Sequence, residues 1–470
     1  MANDPNRDPN YRPPSSIIEQ IAIYIIDARQ QQPQSKSADY AMKCAFDVLC
    51  AAGAGHNHSV AASTRNTALV VPPGGNSPIW FTDETCWPIG AASANSAAAI
   101  VSGLSCYISA SPRYLVAAVI VTALAIAPET QASSAEWLNA IIIGTEVGVA
   151  LARTRTVYGN TGTWVSYAVV ATAAAVLKSS RAVIEHALAI VGVSALNQSW
   201  ANATDPSNEG PEAAGITECT PCCIVAGLEA LELVQYTLCE LPYTLHAEPH
   251  GELRDHLSLG ANQYICASAF KRYCCNRYIH GSLDALEKLI EGKGIDYKEI
   301  SSIEVETCSM ALGLSNTPEP KCLMEVQDSH AYCLALVARY GTDALRPLTE
   351  HVLNDPDVIA LAHRVKLVAL AEFDKIHEEN GPRRARVIVT WGSNRLVSPA
   401  AYPTKGCPTW DQIEKKFKMA TQWTTTIEEQ AEGIAAINSA KQGNFDDLID
   451  RLSKITRDGK KLRLETRIRC

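Results

Sequence analysis

Ala97-Ala-Ala-Ile-Val-Ser102-Gly-Leu-Ser105-Cys106-Tyr107-Ile-Ser109-Ala-Ser111-Pro112-Arg113-Tyr-Leu115-Val-Ala-Ala-Val-Ile-Val-Thr-Ala-Leu-Ala-Ile126-Ala127 is the longest apolar run in the chain. Its length suggests a membrane span, but four serines, Pro112 and Arg113 interrupt it, and alanine dominates what remains. Two closely packed helices in a large helical interior explain such a run, and no membrane association is expected. The same texture extends outward. Residues 134–156, 163–178 and 181–195 are alanine-rich helical stretches divided by proline, glycine or serine, and 89–110 and 114–127 complete the set. Small residues at this density let helix axes approach closely, which predicts a tight bundle rather than a sheet core.

Toward the N-terminus, Ser16 with Glu19 forms a capping-box pattern that opens a helix through Ile17, Ile18, Ile21 and Ile25. Residues 1–16, with Pro5, Pro9, Pro13 and Pro14, read as a disordered arm. A second helix spans about 39–52, and 202–215 reads as a surface loop. Beyond residue 270 the pattern changes. Ile303-Glu-Val-Glu-Thr307 and Arg384-Ala-Arg-Val-Ile-Val-Thr390 alternate like strands, the second turning at Trp391-Gly-Ser-Asn394. Helical patterns at 330–340, 342–353 and 356–364 lie between them. The fold class is therefore mainly α: a large helical bundle (17–268 plus 405–455) with a smaller α/β lid (269–404). Residues 409–452 return to amphipathic helix, and 457–470 form a basic tail.

At 470 residues two domains are expected, and 47% apolar residues supply a large interior. A net charge of −9 gives no basic face for nucleic acid. The sixteen cysteines are scattered, and the adjacent pairs Cys222-Cys223 and Cys274-Cys275 lack metal-ligand spacing. With no secretory signal in the first thirty residues, reduced thiols and a cytoplasmic location are expected. His56-Asn-His58 has no third ligand to complete a metal set, so no metal is expected. Walker, GxSxG and GxGxxG motifs are absent from the sequence, and no nucleotide cofactor is indicated. Glu146, inside an apolar helix, reads as a structural carboxylate, and Arg153 and Arg155 as helix-end charges.

The chemistry concentrates in Lys271-Arg-Tyr-Cys-Cys-Asn-Arg-Tyr-Ile-His280, just ahead of the helical run Leu283–Leu289. Cations and hydrogen-bonding rings at one edge suit a carboxylate-bearing ligand. Lys271 and Arg272 can hold a carboxylate, and His280 can move a proton near neutral pH. Tyr273 has more the character of a core residue.

This stretch resembles the signature of the MmgE/PrpD family of 2-methylcitrate dehydratases and cis-aconitate decarboxylases. Phe46–Gly55, Ile89–Ala99, Ile143–Gly148, Thr161–Thr163, Glu325–Tyr332, Asn354–Val358 and Ala385–Val387 are similar to further family landmarks in the same order. The resemblance spans roughly 17–450. It implies a helical domain and an α/β lid around a cleft, commonly a homodimer, and cofactor-free chemistry on a small-molecule substrate. The departures are as informative. Between Ile100 and Arg113 stands neither the family's carboxylates nor its histidine. Asn160 replaces a second histidine, the lysine expected near 216–218 is missing, and Asn276 stands where several relatives carry histidine. Lys271, Tyr273, His280 and Ser329 persist. Arg113 falls in the loop that lines the family's cleft, and Ser102, Cys106, Tyr107 and Trp164 give a wall suited to a larger, less charged ligand.

Three functions follow. The first is a cofactor-independent isomerase or cyclase, possibly pericyclic, for a specialised metabolite, because a shaped cavity accelerates a unimolecular rearrangement by holding the reactive conformer. The second is a family-type lyase on a citrate- or aconitate-like acid. The third is a non-catalytic relative retained as a binding partner.

Overall fold

The computed structural model describes residues 16–70, 74–111, 114–153, 163–194, 220–236, 257–378, 383–401 and 407–442. The expectations for 1–15, Arg113, Arg155, Asn160, 202–215, 216–218 and 443–470 lie outside the described residues.

The first helices are α1 (Ile17–Ala28), α2 (Ser35–Gly55) and α3 (Ser59–Val70). The short pair β1 (Ser77–Pro78) and β2 (Thr85–Cys86) follows, then α4 (Pro88–Val101), α5 (Leu115–Ile126), α6 (Ser134–Arg153), α7 (Thr163–Val176), α8 (Arg181–Ser194) and α9 (Thr220–Tyr236). In α1 the Glu19 amide donates to the Ser16 hydroxyl at 2.9 Å and the Ser16 amide to the Glu19 carboxylate at 3.3 Å, as the capping-box pattern predicts. Every residue of α5 and all but the first of α7 are buried. A helix apolar all round needs neighbours on every side, and α5 finds them in α4, α6, α7 and α9. Among the described residues only α6 is long and apolar enough to cross a membrane, and 83% of its apolar window is buried inside the protein.

Close approach in this layer depends on missing side chains. At Gly144 of α6 a β-carbon would lie 1.8 Å from the Thr172 hydroxyl oxygen on α7. The helix predicted over 89–110 ends at Val101 instead. Ser102 closes it, and Gly103 adopts a φ of +65°, a conformation that ends a helix and favours glycine.

The second part of the chain holds α10 (His280–Ile290), β3 (Ile300–Thr307), α11 (Ser309–Leu312), α12 (Leu323–Gln327), α13 (His330–Tyr340), α14 (Pro356–Ala362), β4 (Val365–Ala369), α15 (Ala371–Glu378), β5 (Arg386–Trp391) and β6 (Asn394–Val397). The sheet order is β4-β3-β5-β6, with β3 and β4 parallel and the other pairs antiparallel. Glycine 392, at a φ of +53°, sits in the two-residue β5–β6 turn. Helices α10 and α13 pack on β5 and β4. Two expectations are corrected here. The helix predicted over 342–353 is two 3-10 turns, Thr342–Leu345 and Glu350–Val352, because Pro347 between them has no amide to continue a helix. The helical pattern at 356–364 stops at Ala362, and Val365–Ala369 becomes a strand that periodicity missed because it is short and mostly exposed.

Finally α16 (Trp410–Thr421) and α17 (Ile427–Lys441) follow, each opened by a capping box, Thr409 with Gln412 and Thr426 with Glu429. Helix α16 packs on α2, so the chain returns to the helical layer after the sheet. The protein is mainly α with a small mixed sheet.

Candidate active site

The segment 271–279 is not helical, because its backbone groups bond outward to three different parts of the protein. The Lys271 carbonyl accepts from the Lys416 ammonium of α16 at 2.8 Å. The Cys274 amide donates to the Leu345 carbonyl at 3.0 Å, and the Asn276 amide to the Gln327 carbonyl at 2.8 Å. Just upstream, Ala269 forms a two-way antiparallel bridge with Tyr107. The signature is thus strung between the helical layer and the sheet-bearing part. Gln327 closes the same seam by donating to the Val101 carbonyl at 2.7 Å. A β-carbon on Gly103 would lie 2.8 Å from the Gln327 side-chain oxygen, so glycine's missing side chain is what admits that amide.

Lys416 anchors this arrangement. Its ammonium bonds to the fully buried Asp47 carboxylate of α2 and to the Leu104 carbonyl at 3.1 Å, as well as to Lys271. The other Asp47 oxygen accepts from the Cys106 amide at 2.8 Å. Burial opposes the ammonium, but Asp47 nearby and hydrogen-bonded holds the Lys416 pKa above its usual value.

The Lys271 ammonium is buried. It reaches the Tyr114 hydroxyl at 3.4 Å and the Cys275 carbonyl at 3.5 Å, both long contacts, and lies 5.3 Å from the Tyr114 ring centre. Among the described residues it has no carboxylate at ion-pair distance. Burial pushes its pKa down, and the nearby Arg277 guanidinium pushes the same way. His280, the first residue of α10, sets its Nε2 3.4 Å from that same Cys275 carbonyl, so Lys271 and His280 share one neighbour. Burial, with Lys271 beside it, drives the His280 pKa down to about 3. Its ring stands edge-on to Tyr273 with centres 5.2 Å apart. Burial and the neighbouring cations thus disfavour the protonated ring, which packs against Tyr273.

Asp328 is the titratable partner that sequence reasoning missed. Burial raises its pKa, while a 2.9 Å hydrogen bond from Asn276 and the charge of Lys271 draw it back. Two further cations follow in sequence, Arg277 beside Lys271 and Arg383 beside Arg277. The Arg277 guanidinium lies 5.4 Å from the Tyr107 ring and 5.5 Å from the Tyr278 ring. Arg383 lies 5.4 Å from Tyr278, close enough to Arg277 for their charges to repel, and its Nε has no hydrogen-bond partner among the described residues. Lys271 thus feels both Arg277 and the Asp328 carboxyl, and Arg277 in turn has Arg383 beside it. Arg277 and Asp328 stood inside the quoted motifs, and Arg383 in the basic pair ahead of β5. Only the tertiary arrangement singles them out.

The other expected residues fall in different places. Arg272 turns to Asp284 of α10 at 2.7 Å, and the Tyr273 hydroxyl donates to the same carboxylate at 2.6 Å, so this pair belongs to a network beside the cluster. The Ser329 hydroxyl caps α13 and donates to the Thr317 carbonyl at 2.6 Å. The Ser102 hydroxyl donates to the Ala51 carbonyl at 3.0 Å, and Cys106 is fully buried with its thiol pKa raised by burial. Trp164 is buried in the first turn of α7. Of the nominated ligand-binding residues, Tyr107 lies in the cation cluster. Glu146 accepts from the Gly260, Asn262 and Tyr264 amides, the structural role expected of it. His56 accepts its contact from Arg65, and no group of three metal-ligating side chains occurs among the described residues.

Comparison with known families places two matches on the chain. The model of the MmgE/PrpD N-terminal domain matches residues 19–215, and that of the MmgE/PrpD C-terminal domain matches residues 273–442. No curated protein matches the chain.

Proposed function

The chain belongs to the MmgE/PrpD family, and we propose that within it the protein is a cofactor-independent isomerase or cyclase for a carboxylate-bearing small molecule. The observation that carries this reading is the buried Lys271, which has no carboxylate at ion-pair distance among the described residues, lying near both Arg277 and the half-buried Asp328, with Arg383 next to Arg277. Three cations without matching carboxylates are suited to an anion, and guanidinium forks suit a carboxylate best. In this reading the cations hold substrate carboxylate, and Asp328 in its ionised form takes a proton from the adjacent carbon. The C–H electron pair moves into the carboxylate-stabilised carbanion, which Lys271 neutralises. Return of the proton from Asp328 to the far carbon of a conjugated C=C completes an isomerisation, and attack of the carbanion on a C=O or C=C of the same molecule, whose displaced π pair takes the proton from Asp328, completes a ring closure, in both cases without loss of atoms. The Asp328–Lys271 pair also favours a second reading, a family-type lyase, in which the carbanion expels a leaving group instead.

Mass spectrometry of reactions with cis-aconitate, 2-methylcitrate and a panel of other small carboxylic acids separates the two. Conversion without mass change supports the first reading; loss of water or carbon dioxide supports the second. For the substrate found, kcat/KM is expected to rise with pH as Asp328 ionises, above the usual carboxylate range, and to fall as Lys271 loses its proton, below the usual lysine range. Asp328→Asn should cost about 10²–10⁴-fold in kcat, and Lys271→Met should remove the alkaline limb. Turnover untouched by both substitutions would overturn the assignment.

A further inference from the structure

A second cationic place is a cavity of about 410 Å³ lined by Asp343, Arg346, Lys415, Lys418, Met419 and Gln422. Asp343 and Arg346 come from the 3-10 turn after α13 and its cap, the other four from α16 and its cap. The space therefore opens where the sheet-bearing part meets the helical layer.

Its cations are poorly matched by the carboxylates nearby. The Arg346 guanidinium lies over the Tyr273 ring, 4.5 Å from its centre, with only 14% of the side chain exposed. Its Nε and Nη2 find no hydrogen-bond acceptor among the described residues. Its one carboxylate neighbour, Asp343, is 3.7 Å away, and that side chain is 90% exposed to water. Lys418 is paired with Glu414 at 2.6 Å. Lys415 is exposed and has no carboxylate at ion-pair distance among the described residues. A planar guanidinium stacked on an aromatic ring, with the exposed Lys415 and Lys418 lining the same space, matches an oxyanion. The volume exceeds that of one phosphate and falls in the range of small-metabolite sites.

We infer that this cavity binds a compact, multiply charged oxyanion that bridges the 343–346 turn and α16, at a site separate from the Lys271 cluster. A ligand spanning both elements stabilises the folded protein by mass action and ties the two parts together.

Isothermal titration of the full chain with pyrophosphate, and separately with citrate, at fixed ionic strength tests this. The wild type should bind one or both saturably, and whichever binds more tightly identifies phosphate or carboxylate chemistry. Lys415→Gln/Lys418→Gln changes only exposed side chains and should weaken that binding at least tenfold with an unchanged circular-dichroism spectrum. Arg346→Gln should weaken it further. In the Arg277→Gln background, where ligand held at the Lys271 cluster is weakened, the Lys415→Gln/Lys418→Gln change should still weaken binding at least tenfold. Absence of saturable binding, wild-type affinity in the Lys415/Lys418 variant, or no effect of that variant in the Arg277→Gln background would each overturn the inference.

Discussion

Asp47→Asn tests the anchor beneath the candidate site. Asp47 is fully buried, and the Lys416 side chain that pairs with it is 11% exposed. Removing the carboxylate charge leaves an ammonium in a nearly dry interior, which typically costs about 3–5 kcal/mol. Lys416→Met should cost at least as much. It strands the Asp47 charge with the hydrogen bond from the Cys106 amide, and it also takes a donor from the Leu104 and Lys271 carbonyls. Each carbonyl left without a donor adds about 1–3 kcal/mol. Replacing both partners, as Asp47→Leu/Lys416→Met, removes the two buried charges together, so its cost should fall short of the sum of the single changes by about 2 kcal/mol or more. Urea unfolding followed by tryptophan fluorescence, with soluble yield as a second readout, measures all three. A cost below about 1 kcal/mol for Asp47→Asn, or strict additivity in the double variant, would refute the claim that this pair holds α2, α16 and Lys271 together.

Gly144→Ala should destabilise by about 1–3 kcal/mol or more, because its β-carbon would sit 1.8 Å from the Thr172 hydroxyl oxygen; adding Thr172→Ala should recover most of the loss in the same unfolding assay, and no recovery would place the strain elsewhere. Acid should destabilise the protein through its buried histidines. Burial holds His280 at about 3, and His56 and His330 at about 4, while an unfolded chain takes up these protons near pH 6.5. Between those values the unfolded state binds more protons, so stability falls as pH drops, by up to ~1.4 kcal/mol per pH unit for each histidine. Urea midpoints from pH 7 to pH 4 check this, and His330→Gln should flatten the slope by about one proton; a flat profile in the wild type would show that these rings are protonated in the folded protein.

Much of the fold was legible in the chain itself. The alanine-rich runs, the Ser16–Glu19 capping box and the alternation in 303–307 and 384–390 each encode local structure in side-chain spacing, and a spacing survives being read one residue at a time. The limits of those readings were local as well. Gly103 ended α4 early, and Pro347 divided a helical pattern into two 3-10 turns. The motif 271–280 likewise announced cations and rings in one place.

What the linear order could not decide was which groups meet and which remain charged. Asp47, Leu104, Lys271 and Lys416 come together from positions up to 369 residues apart. Arg272 was drawn away to Asp284, Ser329 was committed to a helix cap, Asp328 and Arg277 were brought near Lys271, and Arg383 was set beside Arg277. The physical reason is that propensity and periodicity act between neighbours along the chain. Desolvation and Coulomb interaction act between neighbours in space, and they determine that His280 stays neutral and that Lys271 lies buried without a matching carboxylate among the described residues.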